Sequence, residues 1–343
     1  MSGYFPKTDS NIILWTQFMS CLLGGIFSNI DDITKEQPTT AGLVRFGGGR
    51  NLSSQESIQL QSLVEQDMKE KKFGDAIHIL RRIVRSVKSY HKINHVINLV
   101  RCLFKTDQME EAKTFCKDLQ STLNSANFTS AAKYICNNCD VDLRHLAESF
   151  VGKDYKSSIL LLRCAFKVIA TLHSGEQKLD KLENTAFRMT KVAEEMSRHN
   201  NKNEFKSQFG FMDEIIDDML RVTDVDFKTK CEKLAWCLKH SALCFRKTSF
   251  YSQSIEDNKQ AIFLMKAAFG DDAKFYRVVG QCYNNLGAAY ENDKQLMEAE
   301  TAYLQAKHVF ETVTDWNDDD DKQSSIILTD NNLKRISDQY HNS

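Results

Sequence analysis

The chain has 343 residues, 42% of them apolar, which allows one to three globular domains or one elongated repeat array. Its 45 basic and 46 acidic side chains give a net charge of −1, so there is no overall excess of cations to neutralise nucleic-acid phosphates. Only two prolines occur, Pro6 and Pro38, and most of the chain is therefore free to be helical.

The ten cysteines are dispersed and mostly lie within helical patterns. A secreted, disulfide-stabilised protein concentrates its cysteines in a short, loop-rich chain. We therefore predict reduced thiols that serve as small apolar side chains, and a cytoplasmic location. Cys136 and Cys139 form a lone CxxC, but a structural zinc ion needs four ligands and His145 is the nearby candidate for a third. We expect no metal site.

The N-terminal segment, residues 1–27, contains the most apolar stretch, IILWTQFMSCLLGGIF at 12–27. It is short for a membrane span of about 20 residues, and it includes Thr16, Gln17 and Ser20. It also fits a signal peptide poorly, because no positively charged region precedes an obvious cleavage site. A packed or partner-binding helix is the leading interpretation; a membrane-associated segment and a targeting segment stay open.

Residues 28–55 are rich in Gly, Ser, Thr and charge, which predicts a linker. Its FGGGR, at 46–50, lacks the Lys-Ser/Thr ending of a phosphate-binding loop. The hydrolase, metalloprotease, kinase and dinucleotide-binding motifs are absent from the sequence as well. We therefore predict that the protein is not an enzyme and that it uses no cofactor.

Residues 56–313 predict helix after helix, joined by short polar breaks. A small residue recurs near the start of the second helix of successive pairs. These small residues are Ala76, Ala112, Ser158, Ser254 and Ala299. The interval between Ser158 and Ser254 leaves room for one more pair, with apolar stripes at 182–196 and 205–220 but no small residue of this kind.

The sharpest pattern is CYNNLGAAYENDKQLMEAETAYLQAKHVF at 282–310. Small residues at 287 and 299 would let two antiparallel helices approach closely. The patterned residues are Tyr283, Leu286, Gly287 and Tyr290 in the first helix and Ala299, Tyr303 and Ala306 in the second. In a 34-residue frame from 280 to 313 they occupy seven of the eight signature positions of the tetratricopeptide repeat, which this stretch resembles. Glu311 replaces the closing proline.

The resemblance implies an all-α fold, namely a right-handed α-solenoid of antiparallel helix pairs. VVGQCYNNLGAAYEN, together with the 45 residues from Ser254 to Ala299, is similar to repeats of the kinesin light chain type. In such arrays the first helix of each pair lines a concave groove that binds a protein or peptide. The groove positions of this chain are Asn94, Asn98, Arg101, Arg144, Trp236, His240, Gln281, Asn284 and Asn285. Asparagine amides at these positions can hold the backbone of an extended peptide.

The carboxylate clamp of chaperone-binding relatives is not expected. Asn98 and Arg144 match two of its places, but Gln61, Glu65 and Asp140 occupy the other three. Two acidic side chains would repel a carboxylate.

Residues 314–328 predict an acidic linker, and 329–343 predict a C-terminal capping helix and tail with Asp330 as its N-cap. The leading hypothesis is a non-enzymatic adaptor or scaffold that binds a peptide or partner protein through the groove. The alternative is a regulatory or sensor segment of a larger signalling protein. Nucleic acid is not expected as a partner, and membrane contact is expected at most through 12–27; the oligomeric state stays open.

Overall fold

The computed structural model describes residues 54–86, 93–124, 128, 138–199, 208, 210–313, 316 and 319–341. These ranges contain thirteen α-helices, one 3-10 helix and no strand, which confirms the all-α prediction. None of the described helices is both long and apolar enough to cross a membrane. The predicted N-terminal segment, the linker as far as residue 53, and Cys136 lie outside the described residues.

The chain divides into two compact units at His173 and Ser174, within the region 56–313 that was predicted as one repeat array. The helices of the first unit are α1 (Ser54–Lys69), α2 (Phe73–Ser86), α3 (Ile93–Lys105), α4 (Met109–Leu123), α5 (Cys139–Phe150) and α6 (Tyr155–Leu172). Those of the second are α7 (Gly175–Arg198), α8 (Gly210–Arg221), α9 (Phe227–Lys247), α10 (Tyr251–Phe269), the 3-10 helix Gly270–Phe275, α11 (Arg277–Asn292), α12 (Leu296–Thr312) and α13 (Asp319–His341).

Helices that follow one another pack as pairs: α1 with α2, α3 with α4, α5 with α6, α9 with α10, and α11 with α12. The extra pair predicted between Ser158 and Ser254 is present as α7 and α8. First helices of neighbouring pairs also touch. In the first unit α3 contacts α5, and in the second α9 contacts both α7 and α11. Within each unit, some first helices of neighbouring pairs therefore lie side by side.

Four of the pairs are joined by the same kind of turn. In each turn one non-glycine residue has a left-handed backbone, with φ between 61° and 67°. These residues are Lys71, Asp107, Ser249 and Lys294. The amide of the next residue donates to the carbonyl five positions earlier, as Gln295 does to Tyr290 at 2.9 Å, which satisfies a carbonyl at the helix end. Each left-handed residue lies five positions before a predicted small residue, so the sequence repeat is also a repeat of backbone geometry.

The predicted small residues lie where second helices approach first helices. Ala76, Ala112, Ser158, Ser254 and Ala299 are all fully buried. A small side chain at this position takes up little space between the two helices, so their backbones can approach closely. The reading of these positions as packing residues agrees with their burial.

The pair α11 and α12 is closely packed at two glycines. A Cβ atom added to Gly287 would lie 2.7 Å from Cδ1 of Tyr303, and one added to Gly280 would lie 2.5 Å from Cε1 of Phe310. Gly280 faces Phe310, whereas Gly287, later in the chain, faces the earlier Tyr303, so the two helices run antiparallel. The Tyr303 hydroxyl donates to Glu291 at 2.9 Å.

The last helix, α13, packs against α12 and α11. It begins at Asp319, ten residues before the predicted start at Thr329. Acidic residues favour the positive end of the helix dipole, so the run predicted as a linker can form the first turn. Ile336 is fully buried with Ala299 and Tyr303, and α13 therefore covers the apolar side of the last pair.

Candidate partner-binding faces

The side of the second unit that is built from α9 and α11 has a half-exposed tryptophan at its centre. Trp236 lies on α9, the Nζ atom of Lys239 is 5.1 Å from the centre of a Trp236 ring, and Cζ of Arg277 on α11 is 5.7 Å from it. Arg277 also lies 5.9 Å from the ring of Trp316. A cation over an aromatic face is attracted by the ring quadrupole, so the tryptophan holds both cations in place.

Three side-chain amides lie on the same side of α11 as Arg277. Gln281, Asn284 and Asn285 follow Arg277 by one to two helical turns and are all half-exposed. The Asn332 amide of α13 donates to the Asn284 side-chain oxygen at 3.1 Å. We call the group that comprises Trp236, Lys239, Arg277, Gln281, Asn284 and Asn285 the Trp236 face.

The charges of the Trp236 face are only partly balanced. Burial is the main cause that lowers the pKa of Lys239. Glu183 on α7 acts in the opposite direction, and the Arg277 charge adds a smaller lowering. Glu183 is itself 3.8 Å from Lys233, and burial raises its pKa. Within the described residues neither Lys239 nor Arg277 has a carboxylate at ion-pair distance.

His240, which was predicted to line the groove, is buried beneath this face. Its ring stacks on Trp236 at 6.2 Å between centroids and meets the edge of Phe187 at 5.3 Å. Burial lowers the pKa of His240 to about 2, and Lys239 adds to the effect, so the imidazole is neutral. It supports Trp236 from below and is not available to a partner.

In the first unit, Asn94, Asn98 and Arg101 are half-exposed on α3. Arg101 donates to the Asn98 side chain at 3.3 Å and pairs with Asp142 of α5 at 2.9 Å. We call Asn94, Asn98 and Arg101 the Asn98 face. Its cation is neutralised within the unit.

Arg144, also predicted for the groove, is buried on α5. Its Nη2 lies 3.0 Å from Asp140 Oδ2, and His173 Nε2 lies 3.4 Å from the other oxygen of this carboxylate. Asp140 is fully buried and Arg144 is 6% exposed. A buried charge requires a partner, so the arginine belongs to the core of the unit and does not reach a ligand.

The structure thus places Trp236 on α9 and Gln281, Asn284 and Asn285 on the adjacent helix α11, all half-exposed, whereas Arg144 and His240 are buried within their units. Lys239 and Arg277 were missed by the sequence reasoning. Lys239 follows Trp236 by three positions and so lies on the same side of α9, which was a usable signal. Arg277 lies before the 280–313 frame, so the repeat pattern gave no indication that it belongs to this face.

Nothing in the described ranges suggests a metal centre, because no group of three or more His, Cys, Asp or Glu side chains could hold an ion there. Cys139, the described member of the CxxC, is buried. Burial also raises the pKa of Cys164 well above its ordinary value. Such a thiol stays protonated and unreactive.

No protein-family model matches the chain, and neither does any curated protein. Among solved structures, the chain is similar to the TPR2AB-domain:pHSP90 complex of yeast Sti1. The sequence identity is 16%, and the similarity covers 83% of this chain and 100% of that one. With a TM-score of 0.28 the two superpose poorly, so the helix arrangement described above rests on the contacts of this chain alone.

Proposed function

We propose that the protein is a non-enzymatic adaptor that binds a partner protein or peptide through the first-helix side of its helix pairs. One observation carries the proposal. Trp236 on α9 and three amides on the adjacent first helix α11 are all half-exposed. Tryptophan is enriched among the few residues that carry most of the binding energy of interfaces, and amides can pair with a peptide backbone.

The dimensions of the Trp236 face suit an extended segment. From Arg277 to Asn284 the rise along α11 is about 11 Å, at ~1.5 Å per residue. An extended peptide covers this distance with about three to four residues. The amides of Gln281 and Asn285 would then bond main-chain groups and Trp236 would contact a side chain.

The finer family assignment is also part of the proposal. We assign the last repeat to the kinesin light chain type, because the 3-10 helix Gly270–Phe275 and the 19-residue α10 lengthen this unit beyond 34 residues. A cytoplasmic location fits the eight described cysteines, all of which are free and buried.

The test is affinity purification with the full-length protein from an extract of its source cells, followed by quantitative mass spectrometry. We compare Gln281→Ala/Asn285→Ala with Gln305→Ala, an exposed amide on the second helix α12. Specific partners are expected to fall about ten-fold for the double variant and to stay unchanged for the control.

Two results would contradict the proposal. Equal recovery of partners by both variants would show that this side is not used. If the protein recovered no partner above the background of an unrelated helical bait protein, the proposal of an adaptor function would itself be contradicted.

A further inference from the structure

The last helix, α13, is attached to the α11–α12 pair by several polar contacts and little apolar burial. Arg335 donates to the two carboxylate oxygens of Glu291 at 2.6 and 2.7 Å, and Lys307 donates to Asp330 at 2.7 Å. Of the side chains described on α13, Ile336 is the only apolar one that is fully buried. A helix with so few apolar contacts opens locally at a lower free-energy cost than the core of a fold.

The same helix carries a basic motif at residues 334–337, with the sequence KRIS. Protein kinases select their substrates partly by charge, and one large class prefers cations at the third and second positions before the target serine. In the whole sequence, two adjacent cations precede a serine or threonine in this way at one other place, RKTS at 246–249. The two candidate targets are therefore Ser337 and Ser249.

The structure favours Ser337 over Ser249. Ser337 and Lys334 are both exposed, and α13 ends only four residues after this serine. Ser249 lies in the left-handed turn between α9 and α10, directly after the buried Thr248. A kinase binds its substrate segment in extended form, so the segment must first unwind. The end of α13 can unwind by releasing Ile336 and its polar contacts, whereas unwinding 246–249 would disrupt the packed pair α9 and α10.

The contacts between α13 and α12 fix how these two helices are aligned. Lys322, near the start of α13, donates to the carbonyl of Glu311 near the end of α12 at 3.3 Å. Further along α13, Asp330 accepts a hydrogen bond from Lys307, which is earlier on α12. The helices are therefore antiparallel, and each step forward along α13 corresponds to a step back along α12.

This alignment brings Ser337 level with Glu300. Ser337 follows Asp330 by seven residues, and Glu300 precedes Lys307 by seven. Seven residues make two helical turns, so each residue stays on the same side of its helix as the bonded pair. Tyr340, one turn after Ser337, lies near the same carboxylate, because burial raises its pKa and the charge of Glu300 raises it further.

We propose that Ser337 is a phosphorylation site and that phosphate there loosens the end of α13 from the α11–α12 pair. A kinase transfers the γ-phosphoryl group of ATP to Oγ of Ser337, the hydroxyl proton is released, and ADP leaves. Phosphoserine carries about −1.5 to −2 charges at pH 7. This charge faces the Glu300 carboxylate and lies close to the C-terminal end of a helix, where the helix dipole disfavours it. Lys334, one turn earlier, offsets only part of it.

Loosening of α13 changes what the second unit exposes. It uncovers the surface that Ile336 shares with Ala299 and Tyr303. It also frees the Asn284 side chain, to which Asn332 donates at 3.1 Å. Phosphorylation thus switches this end of the unit between a covered and an open state, and the inference does not depend on the adaptor function.

The first experiment treats the full-length protein with ATP and the catalytic subunit of cyclic-AMP-dependent protein kinase, which selects serine after two basic residues. Mass spectrometry then locates the phosphate over time. Ser337 is expected to be modified at least about ten-fold faster than Ser249, because its segment unwinds more readily. Lys334→Gln is expected to slow the modification of Ser337 about ten-fold, because it removes one of the two cations that the kinase reads.

The second experiment measures amide hydrogen exchange of the phosphorylated full-length protein. Exchange in 326–341 is expected to become about ten-fold faster, with helices α5 and α6 unchanged as the internal reference. Ser337→Glu should act in the same direction with a smaller effect, and Ser337→Glu/Glu300→Gln should restore most of the protection. Ser324→Glu is the matched control, because it adds the same charge at an exposed position nearer the start of α13, where the dipole favours it.

Three results would overturn the inference. If the kinase modified the isolated peptide 330–343 but left Ser337 of the folded protein unmodified, α13 would not open far enough to present the site. Phosphorylation of Ser337 without faster exchange in α13 would show that the phosphate does not loosen the helix. Equal effects of Ser337→Glu and Ser324→Glu would show that the position opposite Glu300 is irrelevant.

Discussion

The Asn98 face and the Trp236 face both lie on first helices, but their cations have different kinds of partner. On the Asn98 face Arg101 is paired with Asp142 of the next first helix, and Arg144 of that helix is buried against Asp140. On the Trp236 face Lys239 and Arg277 lie against an indole ring.

The difference shows which charges are available for binding. A carboxylate of the same unit neutralises a cation, and a competing ligand would first have to break that pair. An aromatic ring holds a cation in position but supplies no counter-charge. The repeat pattern alone does not reveal this distinction, because it depends on the residues of the neighbouring helix.

The largest loss of unfolding free energy is expected when the buried carboxylate of Asp140 in the first unit is removed. Asp140→Asn removes the carboxylate that pairs with the buried Arg144, and breaking a buried pair costs about 3–5 kcal/mol. Urea denaturation followed by circular dichroism measures the loss of unfolding free energy. A loss below about 1 kcal/mol would show that Arg144 finds another partner, and the contrast between the two faces would weaken.

The unfolding free energy is expected to depend on pH through the helix pair α9 and α10, whose first helix carries Trp236. Asp257 of α10 is buried against α9; Ser241 donates to it at 2.7 Å and Gln253 at 2.8 Å. Burial raises its pKa to about 7, from an ordinary value of 3.8. The folded chain therefore keeps a proton that the unfolded chain has lost, and the stability from this group is complete below pH 3.8 and is lost as pH rises through about 7.

Asp257→Asn tests this dependence. Between about pH 5 and pH 8 the wild type is expected to lose up to about 3 kcal/mol of unfolding free energy relative to the variant. Parallel denaturation curves at several pH values give the difference, and Asp271→Asn, exposed in the 3-10 helix, serves as the control. Identical pH profiles for wild type and Asp257→Asn would mean that Asp257 is ionised in the folded chain.

Displacement of α11 is expected to disturb only the Trp236 face. Gly287→Ala places a Cβ atom 2.7 Å from the Tyr303 ring, and overpacking of this kind costs about 1–3 kcal/mol. Recovery of partner proteins by affinity purification should fall as well, because Gln281 and Asn285 move with the helix. Gly74→Ala is the matched control: no heavy atom lies within 4 Å, and alanine is expected to stabilise α2 by up to about 1 kcal/mol. A stable Gly287→Ala variant with unchanged partner recovery would contradict the close packing.

The smallest effect is expected from Asp142→Asn, which frees Arg101 on the Asn98 face. The pair is partly exposed, so stability should change by less than about 1 kcal/mol. Recovery of partner proteins should change by less than about two-fold, because no tryptophan among the described residues lies at cation–π distance from Arg101. A clear gain in recovery would show that an unpaired cation is sufficient and that Trp236 is dispensable.

The sequence predicts much of the fold because the packing rules are local. Gly287, Ala299 and Tyr303 are spaced by helical geometry, and the structure buries all three. The turn shape was not predictable. Lys71 and Lys294 adopt left-handed backbones without the glycine that usually signals one.

The binding residues were less predictable, because exposure depends on partners far away in sequence. Nothing near Arg144 indicates that His173 would join it and Asp140 in the interior. His240 occupies a groove position by count, but Phe187 of a different helix pair packs over it. Position within the repeat therefore identifies the side of a helix, and the neighbouring helices decide which side chains remain accessible.

The placement of α13 has a consequence for self-association. Ile336 and Leu333 lie on Ala299 and Tyr303, and Asn332 bonds Asn284, on the surface where a further helix pair would otherwise stack. Open-ended stacking of identical subunits through such a surface leads to filaments. Because the chain covers this surface with its own helix, copies cannot grow end to end from the α11–α12 pair while α13 remains in place.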